Sequence, residues 1–132
     1  MPAGQNIIMS NADDHNANFL PKGFSRRMAI AVVDNHGFLV YYERMDDTQT
    51  ASVHVALDKA KAAAMFRRPT KAFEDGIAKG RVALLGLNGA TPIEGGLPIM
   101  VGGKVIGAIG VSGANSDQDA AAATAGLKGA GL

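Results

Sequence analysis

At 132 residues and 47% hydrophobic composition, the chain is long enough for one continuous core and too short for two. Thirteen Lys and Arg against twelve Asp and Glu leave a formal charge of +1, which argues against the basic field that gathers nucleic acid or an anionic membrane surface. Cysteine is absent, so disulfides, thiolate catalysis, zinc ribbons and iron–sulfur ligation are excluded, and any metal ligation falls to His, Met or carboxylates.

The chain opens "MPAGQNIIMSNADDHNANFLPKG", without the basic stretch and apolar run of a leader, and nowhere reaches the length of a membrane span. It reads as a soluble, cytoplasmic protein with no nucleic-acid or membrane partner. Ile8, Ala12, His15 and Phe19 recur at helical spacing, but Asn6, Asn11, Asp13, Asp14, Asn16 and Asn18 favour turns, so helix and irregular segment both stay open here. Next, "MAIAVVDNHGFLVYYER" places β-branched and aromatic residues on both sides of a turn-forming DNHG, predicting a hairpin of Met28–Asp34 and Phe38–Arg44.

In "TASVHVALDKAKAAAMF", Val53, Ala56, Leu57, Ala60, Ala63 and Ala64 follow i, i+3, i+4, i+7 spacing. That predicts a helix over Thr50–Phe66, with Asp58, Lys59 and Lys61 off the stripe. Pro69 ends it, and Thr70 is placed to cap a short second helix. Between Gly76 and Gly96 only "VALLGL" offers a strand.

"PIEGGLPIMVGGKVIGAIGVSG" is glycine-rich but not a phosphate loop. Its Gly103-Lys104 has Pro98 where a P-loop needs its first glycine and Val105 where it needs Ser or Thr, and no G-x-G-x-x-G occurs. Two apolar runs around Gly102-Gly103 predict a second hairpin instead. Its second strand is apolar on both sides, with Val105, Gly107, Ile109 and Val111 on one face and Ile106, Ala108 and Gly110 on the other, so it belongs inside a sheet. Its glycines mark a close approach by another backbone, a helix or a flat ligand. Finally, "SDQDAAAATAGLKGAGL" predicts a helix capped by Ser116 and ended by Gly126 and Gly129, with residues 127–132 fraying.

His15, His36 and His54 are too far apart for a short metal motif such as H-E-x-x-H. His54 borders the helix stripe, His36 sits in a turn, and His15 stands on the N-terminal helical spacing; a single imidazole suffices to hold a haem iron. Arg44, Asp46 and Asp47 mark a charged strand exit. Arg67 and Arg68 fit either the negative end of the preceding helix or an acidic ligand such as a propionate. Glu94, beside Gly95, fits a general base if its pKa is raised, or a structural carboxylate. Asp117 and Asp119 occupy the first turn of the last helix, where negative charge is stabilised. "GVSG" departs from the G-x-S-x-G nucleophile elbow.

The segments "IAVVDNHGFLVYYERMD", "KAKAAAMFRRPT" and "PIEGGLPIMVGGKVIGAIGVSG", with a closing "QD", resemble in order and spacing the GlcG/HbpS-like family, known as haem-binding or haem-degrading and also as the C-terminal domain of PduO-type proteins. The likeness runs from about Ala29 to Gly126. It implies a single α/β (α+β) domain over residues 1–132, with a profilin-like antiparallel sheet of about five strands flanked by helices, an atypical segment 1–27, and assembly as a homo-oligomer. It further implies possession of haem in some members, with an axial histidine in the N-terminal region, where His15 stands. Glu94, Gly95, Gly96 and Ser112 are the residues through which a shared pocket is implied.

Three readings follow. The first is a haem-binding module in haem sensing, storage or degradation, with His15 at the iron and Arg67 or Arg68 on the propionates. The second is a small-molecule lyase, isomerase or hydrolase of a catabolic pathway, with Glu94 or Asp119 as general base and Arg44 or Arg68 on a carboxylate. The third is a non-catalytic oligomeric accessory protein.

Overall fold

The structure is a computed structural model and describes residues 27–132. The N-terminal helical spacing and His15 lie outside the described residues. Strands β1 (Ala29–Asp34) and β2 (Leu39–Arg44) form the first hairpin. Its turn is tied by the Asp34 carboxylate, which accepts the backbone N–H groups of His36 at 2.9 Å and Phe38 at 3.0 Å. Those two N–H groups hold the Asp34 carboxyl below its ordinary pKa of 3.8.

Helix α1 (Thr50–Phe66) has the expected bounds, and α2 (Lys71–Ala78) follows the Pro69 break. Strands β3 (Gly96–Val101) and β4 (Lys104–Ser112) form the second hairpin. Gly102 and Gly103 turn it with φ of 57° and 77°, left-handed values that two consecutive glycines adopt without a Cβ clash. Helix α3 (Ser116–Gly129) closes the chain. It starts one residue earlier than expected: Asn115 is the cap, and its N–H donates to Gln118 Oε1 at 3.1 Å.

The sheet is antiparallel in the order β2-β1-β4-β3. It has four strands, not about five. VALLG, the expected extra strand, is a 3-10 helix over Val82–Gly86, because its N–H groups find local partners: Val82 donates to Gly80 O and Leu84 to Arg81 O. A strand there would need a neighbouring ladder to satisfy them.

Both sheet faces are covered, which is why β1 and β4 read as unbroken apolar runs. Ala29, Ala31, Val33 and Ala108 meet Ala56, Ala60, Ala63 and Ala64 of α1. On the other face, Met28, Ile30, Val32, Ile99, Ile109 and Val111 pack with Ala122 and Ala123 of α3. The α1 face is built from small residues, so that helix rides close to the strands. At Gly110 a Cβ would collide with Ala56 O and Ala60 N of α1. The close approach anticipated for the glycine-rich strand is therefore a helix backbone. No described helix is long and apolar enough to cross a membrane.

Candidate functional site

The RRPT strap between α1 and α2 docks on the glycine turn before β3. Thr70 N–H donates to Gly96 O at 3.0 Å, and Gly96 N–H returns a bond to Thr70 Oγ1 at 3.0 Å. Thr70 thus spends its hydroxyl on the neighbouring strand and makes no side-chain cap bond to α2. Gly95 O accepts from Val111 N at 3.0 Å, fixing the turn to the central strand.

Behind this turn lies a buried ion pair. Lys59 leaves α1 and donates from Nζ to Val111 O at 3.0 Å and to Asp119 Oδ2 at 3.0 Å. Asp119 Oδ1 accepts the Ala114 N–H at 3.0 Å. The two side chains are 1% and 2% exposed. Burial pushes the Asp119 carboxyl above its ordinary pKa of 3.8, opposed by the Ala114 N–H and by Lys59. A Cβ on Gly95 would stand 2.7 Å from Lys59 Nζ, and one on Gly96 would meet Lys59 O and Thr70 Cγ2. The space beside these glycines is filled by Lys59 and Thr70.

Glu94, Gly95, Gly96, Ser112 and Asp119 come together at one end of the sheet, joined by the strap. Ser112 is buried at the end of β4 opposite Ala29. Glu94 is half-buried, and its N–H approaches Glu74 Oε1 at 3.5 Å. Arg67 and Arg68 are exposed on the strap. Arg67 is the left-handed cap of α1, with φ of 56°. Arg68 donates from Nε to Phe66 O at 3.0 Å and holds its guanidinium 5.9 Å from the Phe73 ring centroid. His36 is exposed in the β1–β2 turn, away from this cluster at the other end of β1, and His54 and Arg44 are exposed on α1 and at the end of β2.

Chemically, the cluster divides into two parts. Asp119 has both oxygens engaged and no open side, so it holds α3 to α1; Glu94 is half-buried, and the two arginines are exposed at the surface. Lys59 was expected off the buried stripe and instead lies in it. The signal is in the sequence: Ser52, Ala56, Lys59 and Ala63 recur at heptad spacing, and all four are buried.

Two open grooves lie elsewhere. One, of about 400 Å³, is lined by Asp58, Lys61, Met65, Gly89, Ala90 and Thr91. The other, of about 440 Å³, is lined by Arg44, Met45, Asp46, Asp47 and Thr48. Among the described residues no group of three His, Cys, Asp or Glu is placed to hold a metal ion.

A helix-covered antiparallel sheet whose glycine turn closes over a Lys–Asp pair defines the structural class. Residues 17–128 match the family described as "Haem degrading protein HbpS-like", and the chain belongs to that family. Over 85 residues it is 42% identical to Protein GlcG of Escherichia coli (strain K12), an alignment covering 64% of this chain and 63% of GlcG, so the match spans less than two thirds of that relative. The fold is shared with Klebsiella pneumoniae protein ORFY, with a TM-score of 0.81 at 26% identity over 98% of this chain and 88% of that one. It is also shared with the PduOC:heme complex, with a TM-score of 0.76 at 21% identity over 96% of this chain and 91% of that one.

Proposed function

We propose that this protein is a haem-binding module that works as a homo-oligomer in haem sensing, storage or degradation. The observation that carries this reading is the match of residues 17–128 to a family described as haem degrading. A neighbour of the same fold was solved as a heme complex, which agrees with it.

Two observations support seating haem against the strap rather than inside the glycine turn. Arg67 and Arg68 are consecutive and exposed, and guanidinium is the chemistry that pairs with propionates. Gly95 and Gly96 are backed by Lys59 and Thr70, which leaves a porphyrin no room behind them. His15 is the proposed axial ligand, with half-buried Glu94 at the adjoining surface and the buried Gly95, Gly96 and Ser112 supporting it from beneath. Bound haem supplies an iron centre capable of redox and oxygen chemistry.

The test is a hemin titration followed at the Soret band, run on the wild-type chain and on His15→Ala, His36→Ala and His54→Ala. Saturable binding lost in His15→Ala alone is the expected result. Featureless adsorption unchanged in all three variants overturns the haem reading, and Glu94 then becomes the residue around which a catabolic substrate is sought.

A further inference from the structure

Helix α1 turns one face away from the sheet, where Asp58, Lys61 and Met65 recur at i, i+3, i+7 spacing and are all exposed. They form one wall of the groove of about 400 Å³, a volume within the range of small-molecule sites. The facing wall is Gly89, Ala90 and Thr91, in the loop between the 3-10 helix and β3. Two bonds shape that loop: Ala90 N–H donates to Leu87 O at 3.2 Å, and Thr91 Oγ1 donates to Asp58 O of the α1 backbone at 3.3 Å. This groove shares no residue with the surface proposed for haem.

Side chains three or four apart on a helix are within reach of each other, and Lys71 and Asp75 of α2 bridge at 3.0 Å. Asp58 and Lys61 do not bridge, and among the described residues neither charged end has an ion-pair or hydrogen-bond partner. The Lys61 stem leans toward the β1–β2 turn, its Cγ 3.8 Å from where a Cβ on Gly37 would stand. That same position is 3.4 Å from Met65 Cγ and Sδ, and a Cβ on Gly89 would stand 3.8 Å from Met65 Cε. The thioether is thus seated between two glycine turns and still 51% exposed, an apolar and polarizable surface inside an otherwise charged groove.

We propose that this groove binds a small zwitterion, an α-amino acid with an apolar side chain. The ligand's ammonium meets Asp58, its carboxylate meets Lys61, and its side chain lies along Met65 and Ala90. The two charges select this class. A simple carboxylate gains Lys61 but is repelled by Asp58, and a simple amine gains Asp58 but is repelled by Lys61; a molecule with both signs close together satisfies both. Residues at i, i+3 stand about 5–6 Å apart at Cβ, so opposite charges on neighbouring atoms, as around an α-carbon, match the spacing.

The experiment titrates the isotopically labelled full chain with L-norleucine and with its two halves, hexanoate and pentylamine, and follows the backbone amides by NMR. The expected result is saturable shifts with norleucine at Asp58, Lys61, Met65 and Gly89 to Thr91, and none with either half at the same concentrations. Losing one exposed pairing weakens binding about 1.4- to 5-fold and reversing the charge adds repulsion, so Asp58→Lys and Lys61→Glu are expected to lower the norleucine affinity about five-fold or more. Circular dichroism checks that these variants are folded, and Asp58→Asn and Lys61→Gln, expected within the smaller range, take their place if a reversal unfolds the chain. Norleucine shifts that do not saturate or that fall outside the groove overturn the site. Hexanoate or pentylamine binding as tightly as norleucine overturns the zwitterion, and so does an affinity unchanged in the folded variants.

Discussion

Lys59 and Asp119, sixty residues apart, meet at 3.0 Å in the interior and bind α1 to α3 around the end of the sheet. Removing the cation leaves a carboxylate buried without its counter-charge, so Lys59→Met is expected to cost about 3–5 kcal/mol near neutral pH. Replacing the pair together, Lys59→Met with Asp119→Leu, removes both charges and recovers most of that loss. Urea unfolding of the single and double variants, read as a double-mutant cycle, measures the difference.

The same pair sets a pH dependence. Because burial raises the Asp119 pKa in the fold, its contribution is fully present below the unfolded value of 3.8 and is lost as pH rises through the folded value. Lys59→Met removes an influence that held this pKa down, so the loss extends to higher pH. Melting curves across the acid range should show the gap between wild type and Lys59→Met narrowing as pH falls. A gap of constant size would contradict the buried-charge account.

Asp34 behaves in the opposite sense. Its pKa is lowered by the N–H groups of His36 and Phe38, so its contribution is present above 3.8 and is lost as pH falls through the lower folded value. Asp34→Asn keeps an acceptor oxygen but not the charge. The wild-type advantage over Asp34→Asn should therefore shrink on acidification, as read from melting temperatures at several pH values.

Gly110 and Gly129 separate two kinds of glycine. Gly110→Ala pushes a methyl group into the α1 backbone at Ala56 and Ala60 and is expected to cost about 1–3 kcal/mol or more. Gly129→Ala, at the end of α3 with nothing within 4 Å of its Cβ position, is expected to gain about 0.4–1 kcal/mol. Denaturant midpoints of the two variants should move in opposite directions.

Arg67→Ala and Arg68→Ala test the haem orientation. Both side chains are exposed, so each lost propionate pairing is worth about 0.2–1 kcal/mol, or roughly a 1.4- to 5-fold weaker hemin affinity. The Soret position should stay unchanged, because neither residue is placed at the iron. A shifted Soret band in either variant would show that the strap reaches the axial chemistry.

Much of the fold is legible from local pattern. The DNHG and Gly102-Gly103 turns, the alanine stripe of α1 and the two-sided apolar β4 all follow from spacing and from backbone freedom at particular residues. VALLGL failed as a strand because apolar composition does not provide a ladder partner, and N–H groups within it bond locally instead. Of the candidate site, Glu94, Gly95, Gly96, Ser112 and Asp119 were nameable from the chain, and their meeting at one sheet end was not, since it depends on contacts between distant segments.

By itself the sequence determined the two hairpins, the helix over Thr50–Phe66 and the resemblance that leads to the HbpS-like family, because each rests on residues close together in the chain. The tertiary structure alone decided that a lysine surrounded by alanines is buried, that Asp119 is its partner, and that the glycines make way for a helix and an ion pair. Solvation is the physical reason. Whether a charged side chain is burial-compatible depends on the counter-charge and carbonyl that meet it in space, here Asp119 and Val111 O, and these lie more than fifty residues away along the chain.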